Sequence, residues 1–320
     1  MKHLIRILLA LSFLCAAAQA SAQTFPDRPV TLVVGFAPGG NADIVARLVG
    51  QKMSEALRQP VIIENKGGAG GLLASEAVAK SPADGYRLLL VSGAFPAQAA
   101  VLPKLSFDPQ NDFSWVGTIV SYPLVVVVPA ASPFRSIDDL IRAARANPGK
   151  LNYPSPGNGS LFHLATEVFG AEAKVDMTHV PFRGGAQQLT ELLAGRLDVM
   201  FDTYSVVQPS LAAGRLRAIG VTSPERLASM PDVPTVAQSL PRYEASSFLG
   251  IAGPAGLPAA TVQTLNAALR SALSDAGVRQ RLVELGGTPW PGSPSDMASH
   301  IRDSTARWKS IATARQIKAD

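Results

Sequence analysis

Val30-Thr31-Leu32-Val33-Val34 reads as a buried strand, and Pro38-Gly39-Gly40-Asn41 breaks it a few residues later. Beyond the break, Ile44, Val45, Leu48, Val49, Met53 and Ala56 recur at helical spacing. Strand, glycine-rich turn and helix are therefore contiguous. The phrase returns as Leu151-Asn152-Tyr153, then Pro156-Gly157-Asn158-Gly159-Ser160, then a helix. It returns again as Met177 to Phe182, then Gly184-Gly185-Ala186, then a helix. Each such junction aims unpaired backbone N–H groups and the positive end of a helix dipole at one spot. That spot binds anions without Lys or Arg. Three of them facing one cleft would hold a carboxylate; read singly, the glycines need only make tight turns.

Outward from these junctions, strand and helix patterns alternate, which predicts an α/β fold with mostly parallel sheets flanked by helices. Asn41 is the expected N-cap of the first helix. Val61-Ile62-Ile63 and Tyr86 to Val91 read as strands, with Gly67 to Gly71 and a helix through Ala79 between them. Pro123 precedes the apolar run Leu124 to Val128, which Pro129 ends. A matching run, Phe248 to Ala252, leads through Pro254 to a helix from about Ala260 to Leu273. These paired segments read as two crossings between domains. The expected division is residues 23–123 and 244–320 for one domain, with 124–243 inserted as the other. Ser295-Asp296 is the expected cap of a last helix that buries Ile301, Trp308 and Ile311.

The first 22 residues read as a cleaved secretory signal. Lys2 and Arg6 are followed by an apolar stretch from Leu4 to Ala18 and small residues to Ala22. Cleavage after Ala20 is the alternative. The chain holds 29 Lys+Arg and 24 Asp+Glu; without Lys2 and Arg6 the balance is 27 to 24, or +3. No basic run suggests nucleic acid. Cys15 lies inside the signal, so thiol chemistry is absent from the mature chain. His163, His179 and His300 show no metal-ligand spacing, and no cofactor is expected. Ser160 lacks a nucleophile elbow, so no enzyme is expected and His163 reads as a core or capping histidine. Asp202, at the end of the strand Leu197 to Phe201, is either a ligand contact or a helix cap. Asp43 poses the same choice, and Arg183 is a carboxylate partner or a structural side chain.

Several further stretches carry a resemblance. They are Phe25-Pro26-Asp27-Arg28-Pro29, the run Val33 to Arg47, Glu64-Asn65-Lys66-Gly67-Gly68-Ala69-Gly70-Gly71 and Asp84-Gly85-Tyr86. Ala146 to Leu151, Gly157 to Ser160, His179 to Gly184, Asp198 to Asp202, Pro231 to Val236 and Pro254-Ala255-Gly256 follow in order. Together they resemble the Bug or TctC-type substrate-binding proteins of tripartite tricarboxylate transporters. The resemblance implies a two-domain, Venus-flytrap periplasmic binding protein of type II, a monomer without catalysis, that captures a small carboxylate for integral membrane transporter subunits. A sensor subunit that presents its ligand to a membrane signalling partner is the alternative.

The resemblance places Ala37, Pro38, Gly39, Gly40, Asp43, Ser92 and Phe95 of the first domain at the ligand. From the second it adds Ser155, Gly157, Asn158, Gly159, Ser160, Gly184, Gly185, Ala186 and Asp202. Departures from the family pattern at Pro154-Ser155-Pro156, Phe182-Arg183, Thr203-Tyr204 and Ala94-Phe95-Pro96-Ala97 surround that pocket. They point to a ligand with an apolar or aromatic part.

Overall fold

A computed structural model describes residues 25–182 and 185–317, the side chains of 185 and 186 aside. Strands β1 (Val30–Val34), β2 (Val61–Asn65) and β3 (Arg87–Ser92) pair in parallel with β1 central. Helix α1 (Asn41–Leu57) crosses between β1 and β2, and α2 (Leu72–Ala79) between β2 and β3. The buried residues of α1 include Val45, Ala46, Val49, Met53 and Leu57, so its apolar stripe closes one face of the sheet. After α3 (Ala94–Val101), the chain enters β4 (Phe113–Pro129), the longest strand.

β4 serves two sheets. From Phe113 to Pro123 it pairs antiparallel with β9 (Ser246–Pro254), which also pairs antiparallel with β3. From Leu124 to Pro129 it pairs with β7 (Met200–Thr203) and β8 (Leu216–Val221), again antiparallel. The change of partners falls between Pro123 and Leu124. A proline is tolerated there because it has no N–H to give to a ladder. The strand thus runs through Pro123 instead of starting after it. Thr222 fastens the crossing: its Oγ1 accepts from the Leu124 N–H at 2.7 Å and donates to the Ala245 carbonyl at 2.5 Å.

The sheets are therefore mixed, where the alternating pattern predicted mostly parallel ones. Parallel pairing holds for β2-β1-β3 and for β5 (Asn152–Ser155) with β6 (Thr178–Pro181). The antiparallel pairs all involve β4 or β9, the strands that carry the chain between sheets without a crossover helix. Helices cover both faces of each sheet, giving α/β/α layers. Around the first sheet, α1, α8 (Ala259–Ser274) and α9 (Ala276–Glu284) supply one core, and Phe95, Phe107, Phe113 and Phe248 the other. Around the second, α4 (Ile137–Ala146) and α5 (Leu161–Ala173) pack on one face. The apolar residues of α6 (Gly185–Leu193) and α7 (Tyr204–Ala212) pack on the other.

The last helix, α10 (Pro294–Ala314), belongs to both halves. Met297 and Ile301 sit in the Phe95–Phe248 core, while Trp308 and Ala312 sit in the core of the second sheet with Tyr153 and Phe169. Its cap is Ser293, two residues before the expected one, and Asp296 completes a reciprocal capping box.

Candidate functional site

The sheets meet at a cavity of about 610 Å3. Its floor is the hinge itself: Tyr122 of β4 faces Ser247 of β9 in register, and both line it. From the first sheet come Phe36, Gly40, Asn41 and Ala42 at the start of α1, and Ser92 and Ala94 at the start of α3. From the second come Pro156, Gly157, Asn158, Gly159 and Ser160 at the start of α5, and Thr203 before α7. Open α/β sheets bind ligands beyond strand ends of this kind.

The β1–α1 loop shows how the sequence builds one wall. Gly40, not Asn41, is the N-cap of α1, and no side chain caps it. Asn41 is instead the first helical residue, so its carboxamide is released toward the cavity. Asp43 holds the loop from behind. Its carboxylate accepts from the Gly39 N–H at 2.9 Å, from Arg47 at 3.0 Å and from Asn65 at 2.9 Å. The Arg47 guanidinium leads in holding the Asp43 carboxyl down at about 2. Gly39 adopts φ +81°, a left-handed conformation natural to glycine.

The loop before α5 closes on itself. Ser155 donates to the Gly157 carbonyl at 2.8 Å, and its Oγ is 2.6 Å from His179 Nε2. The Gly159 N–H donates to His163 Nδ1 at 3.1 Å, and Ser160 accepts from the His163 N–H. The two imidazoles stack at 3.7 Å between centroids. His163 is thus a buried histidine that shapes the loop, and the bond from Gly159 requires its Nδ1 to be unprotonated. Asp202 is buried in β7, and burial pushes its carboxyl up to about 6 against the opposing hydrogen bonds from Thr203.

Of the expected site residues, Gly40, Ser92, Gly157, Asn158, Gly159 and Ser160 line the cavity. Ala37, Pro38, Gly39, Asp43, Ser155 and Asp202 are not among its lining; Arg183, Gly184 and the side chains of Gly185 and Ala186 lie outside the described residues. Phe95 is a core residue, its ring packed on Phe107, Phe113 and Trp115. Sequence reading missed Tyr122, Ser247, Gln98 and the apolar wall residues. Only the proline after Tyr122, marking the crossing, signalled that place. Among the described residues no cluster could hold a metal, and no helix is long and apolar enough to cross a membrane.

Two sheets joined by crossing strands around such a cavity define a two-domain solute-binding protein. The family model described as "Tripartite tricarboxylate transporter family receptor" matches residues 45–317. The chain belongs to that family, whose members are binding receptors and not enzymes. A curated relative from Pseudomonas sp. strain P51, the "UPF0065 protein in tcbD-tcbE intergenic region", is 37% identical, with 98% of this chain and 95% of the relative covered. Among solved structures, R. palustris Rpa4515 with adipate is 35% identical, with a TM-score of 0.82 and 92% and 99% of the two chains covered. MatC from Rhodopseudomonas palustris, with bound malate, is 34% identical, with a TM-score of 0.77 and 90% and 99% covered.

Proposed function

We propose that the protein captures a small carboxylate-bearing solute in this cavity and delivers it, in the periplasm, to the membrane subunits of a tripartite tricarboxylate-type transporter. One observation carries the reading: the uncapped N-terminus of α1 and the start of α5 open onto one cavity from opposite sheets. The bound carboxylates of two relatives support it. The N-terminal signal supports the periplasmic location, and the family description supports the transporter partner.

In this reading the domains are residues 23–123 with 244–320, and 124–243. Gly40, Ser92, Gly157, Asn158, Gly159 and Ser160 meet the ligand. Ala37, Pro38, Gly39, Asp43, Ser155 and Asp202 hold the loops that do, and Gly184, Gly185 and Ala186 complete the ligand contacts of the second domain. A solute touching both domains stabilises the closed arrangement by its differential affinity for it.

The test is a thermal-shift screen on the mature chain, Gln23 to Asp320, unfolded and refolded to strip carried ligand. Mono-, di- and tricarboxylates at about 100 times Kd should add roughly 2.7 kcal/mol of stability. Ala42→Asp discriminates further. A carboxylate in the first turn favours the helix dipole, so the empty protein should melt no lower, yet it repels an anion at the same spot. Loss of every ligand shift in this variant supports the site. Unchanged shifts place the ligand elsewhere.

A further inference from the structure

We infer that Tyr122 is a specificity-determining residue whose phenol donates to the bound solute, and that this solute carries one carboxylate on an apolar body. The inference rests on reading the cavity as a carboxylate site. Tyr122 is 2% exposed, yet among the described residues its hydroxyl has no hydrogen-bond partner. The Asn41 carboxamide lies beside the phenol and interacts with it, yet its Oδ1 is also buried and without a hydrogen bond. Both residues line the cavity. An unpartnered buried hydroxyl is expensive, and two such atoms side by side at a cavity wall mark a place where something else completes the bonds.

The position matters as much as the atom. Tyr122 is the penultimate residue of β4 before it leaves the first sheet at Leu124, directly opposite Ser247 on the other crossing strand. Asn41 opens α1, whose N-terminus has no side-chain cap. A carboxylate seated against that helix end is therefore within the reach of a phenolic donor fixed at the hinge. Burial pushes the Tyr122 phenol up to about 12 against the opposing interaction with Asn41, so the proton stays in place to be donated throughout the neutral range.

The rest of the cavity describes the rest of the ligand. Phe36, Leu72, Val101, Leu102, Phe162 and Leu249 supply walls that suit a ring or an alkyl chain. No Lys, Arg or His is among the described lining residues. A second carboxylate would be met chiefly by hydroxyls such as those of Ser92 and Ser247, because the loop before α5 has spent several backbone donors internally. The Gly157 N–H goes to Ser155, the Gly159 N–H to His163, and the Ser160 N–H to the Gly157 carbonyl. One anion seat, one hinge phenol and an apolar chamber fit a monocarboxylate such as hexanoate or benzoate.

Calorimetric titration of refolded Gln23–Asp320 and its Tyr122→Phe variant with hexanoate, benzoate, adipate, malate and citrate tests this. The expected result is tightest binding of hexanoate or benzoate, and a loss of about ten- to a hundredfold in Tyr122→Phe, the scale of a hydrogen bond to a charged group. The empty variant should melt at the same temperature or higher, because it sheds an unpaired buried hydroxyl; a merely structural tyrosine would lower it. Tightest binding of adipate, malate or citrate overturns the monocarboxylate assignment and leaves the carboxylate site standing. Unchanged affinity in Tyr122→Phe overturns the role of the phenol. Failure of all five acids to bind the wild type removes the carboxylate reading and this inference with it.

Discussion

Asp43 and Asp202 are both buried carboxylates, and their surroundings push them in opposite directions. Asp43 is ionised and fully partnered, with its pKa held near 2. Its stabilising contribution is complete above the ordinary carboxylate range near pH 4 and is lost as pH falls toward 2. In Asp43→Asn the acid-limb slope of melting curves taken between pH 4 and 2 should be shallower than in wild type, because other paired carboxylates still contribute to it. At neutral pH the variant should be less stable by about 1–3 kcal/mol, because charge-assisted bonds to Arg47 and the Gly39 N–H are weakened. Asp202 has a folded-state pKa raised to about 6. The unfolded chain ionises it first, so stability falls as pH rises from about 4 through 6 and is flat beyond. Asp202→Asn should therefore melt higher than wild type at pH 7.5, with the gap closing by pH 4. A gap that persists at pH 4 would refute the burial argument.

At the scale of elements, the glycine junctions of α1 and α5 are legible because a strand, a glycine-rich turn and the start of a helix each leave a local pattern. The hinge is not. Tyr122 and Ser247 meet only because β4 and β9 pair across more than a hundred residues, and nothing within a window of a dozen residues encodes that register. The same distance effect misplaced Phe95. Its rings of contact come from Phe107, Phe113 and Trp115, so it points into the core while its neighbours Ser92 and Ala94 face the cavity. Asn41 was read as a cap because its residue type favours that role; the chain enters the helix one residue earlier and frees the side chain. Gly93 exposes a testable consequence of this close meeting. A Cβ there would come within 2.8 Å of Ser247 Oγ on β9 and 3.0 Å of Leu161 Cδ2 on α5. Its φ is −57°, so Gly93→Ala carries no backbone strain; the added methyl presses on Ser247 within the first half and on Leu161 across the cleft. Small-angle scattering should show that this variant stays more open in saturating ligand than wild type does.

Over the whole molecule, α10 joins what the crossing strands divide. Trp308 lies in the core of the second sheet, and Arg315 beyond the helix end pairs with Glu167 at 3.4 Å and Asp176 at 3.3 Å. Trp308→Ala should cost about 3–5 kcal/mol, the usual range for emptying an aromatic site. Because it loosens one half from a helix still held by Met297 and Ile301, calorimetry should show a calorimetric enthalpy exceeding the van't Hoff value, a departure from two-state melting. A single cooperative transition in the variant would show that the halves do not depend on this helix for their coupling.

The place of β9 in the first sheet has a consequence for how the protein comes into being. It lies between β3 and β4, yet it is made of residues 246–254, long after both neighbours. β1 to β4 are therefore all in place in the chain more than a hundred residues before the strand that joins β3 to β4. Without that late strand, β3 and β4 have no shared neighbour. The first sheet can therefore close only after the whole of the second has been added to the chain, and a polypeptide cut short anywhere before residue 246 lacks the strand that unites β3 with β4.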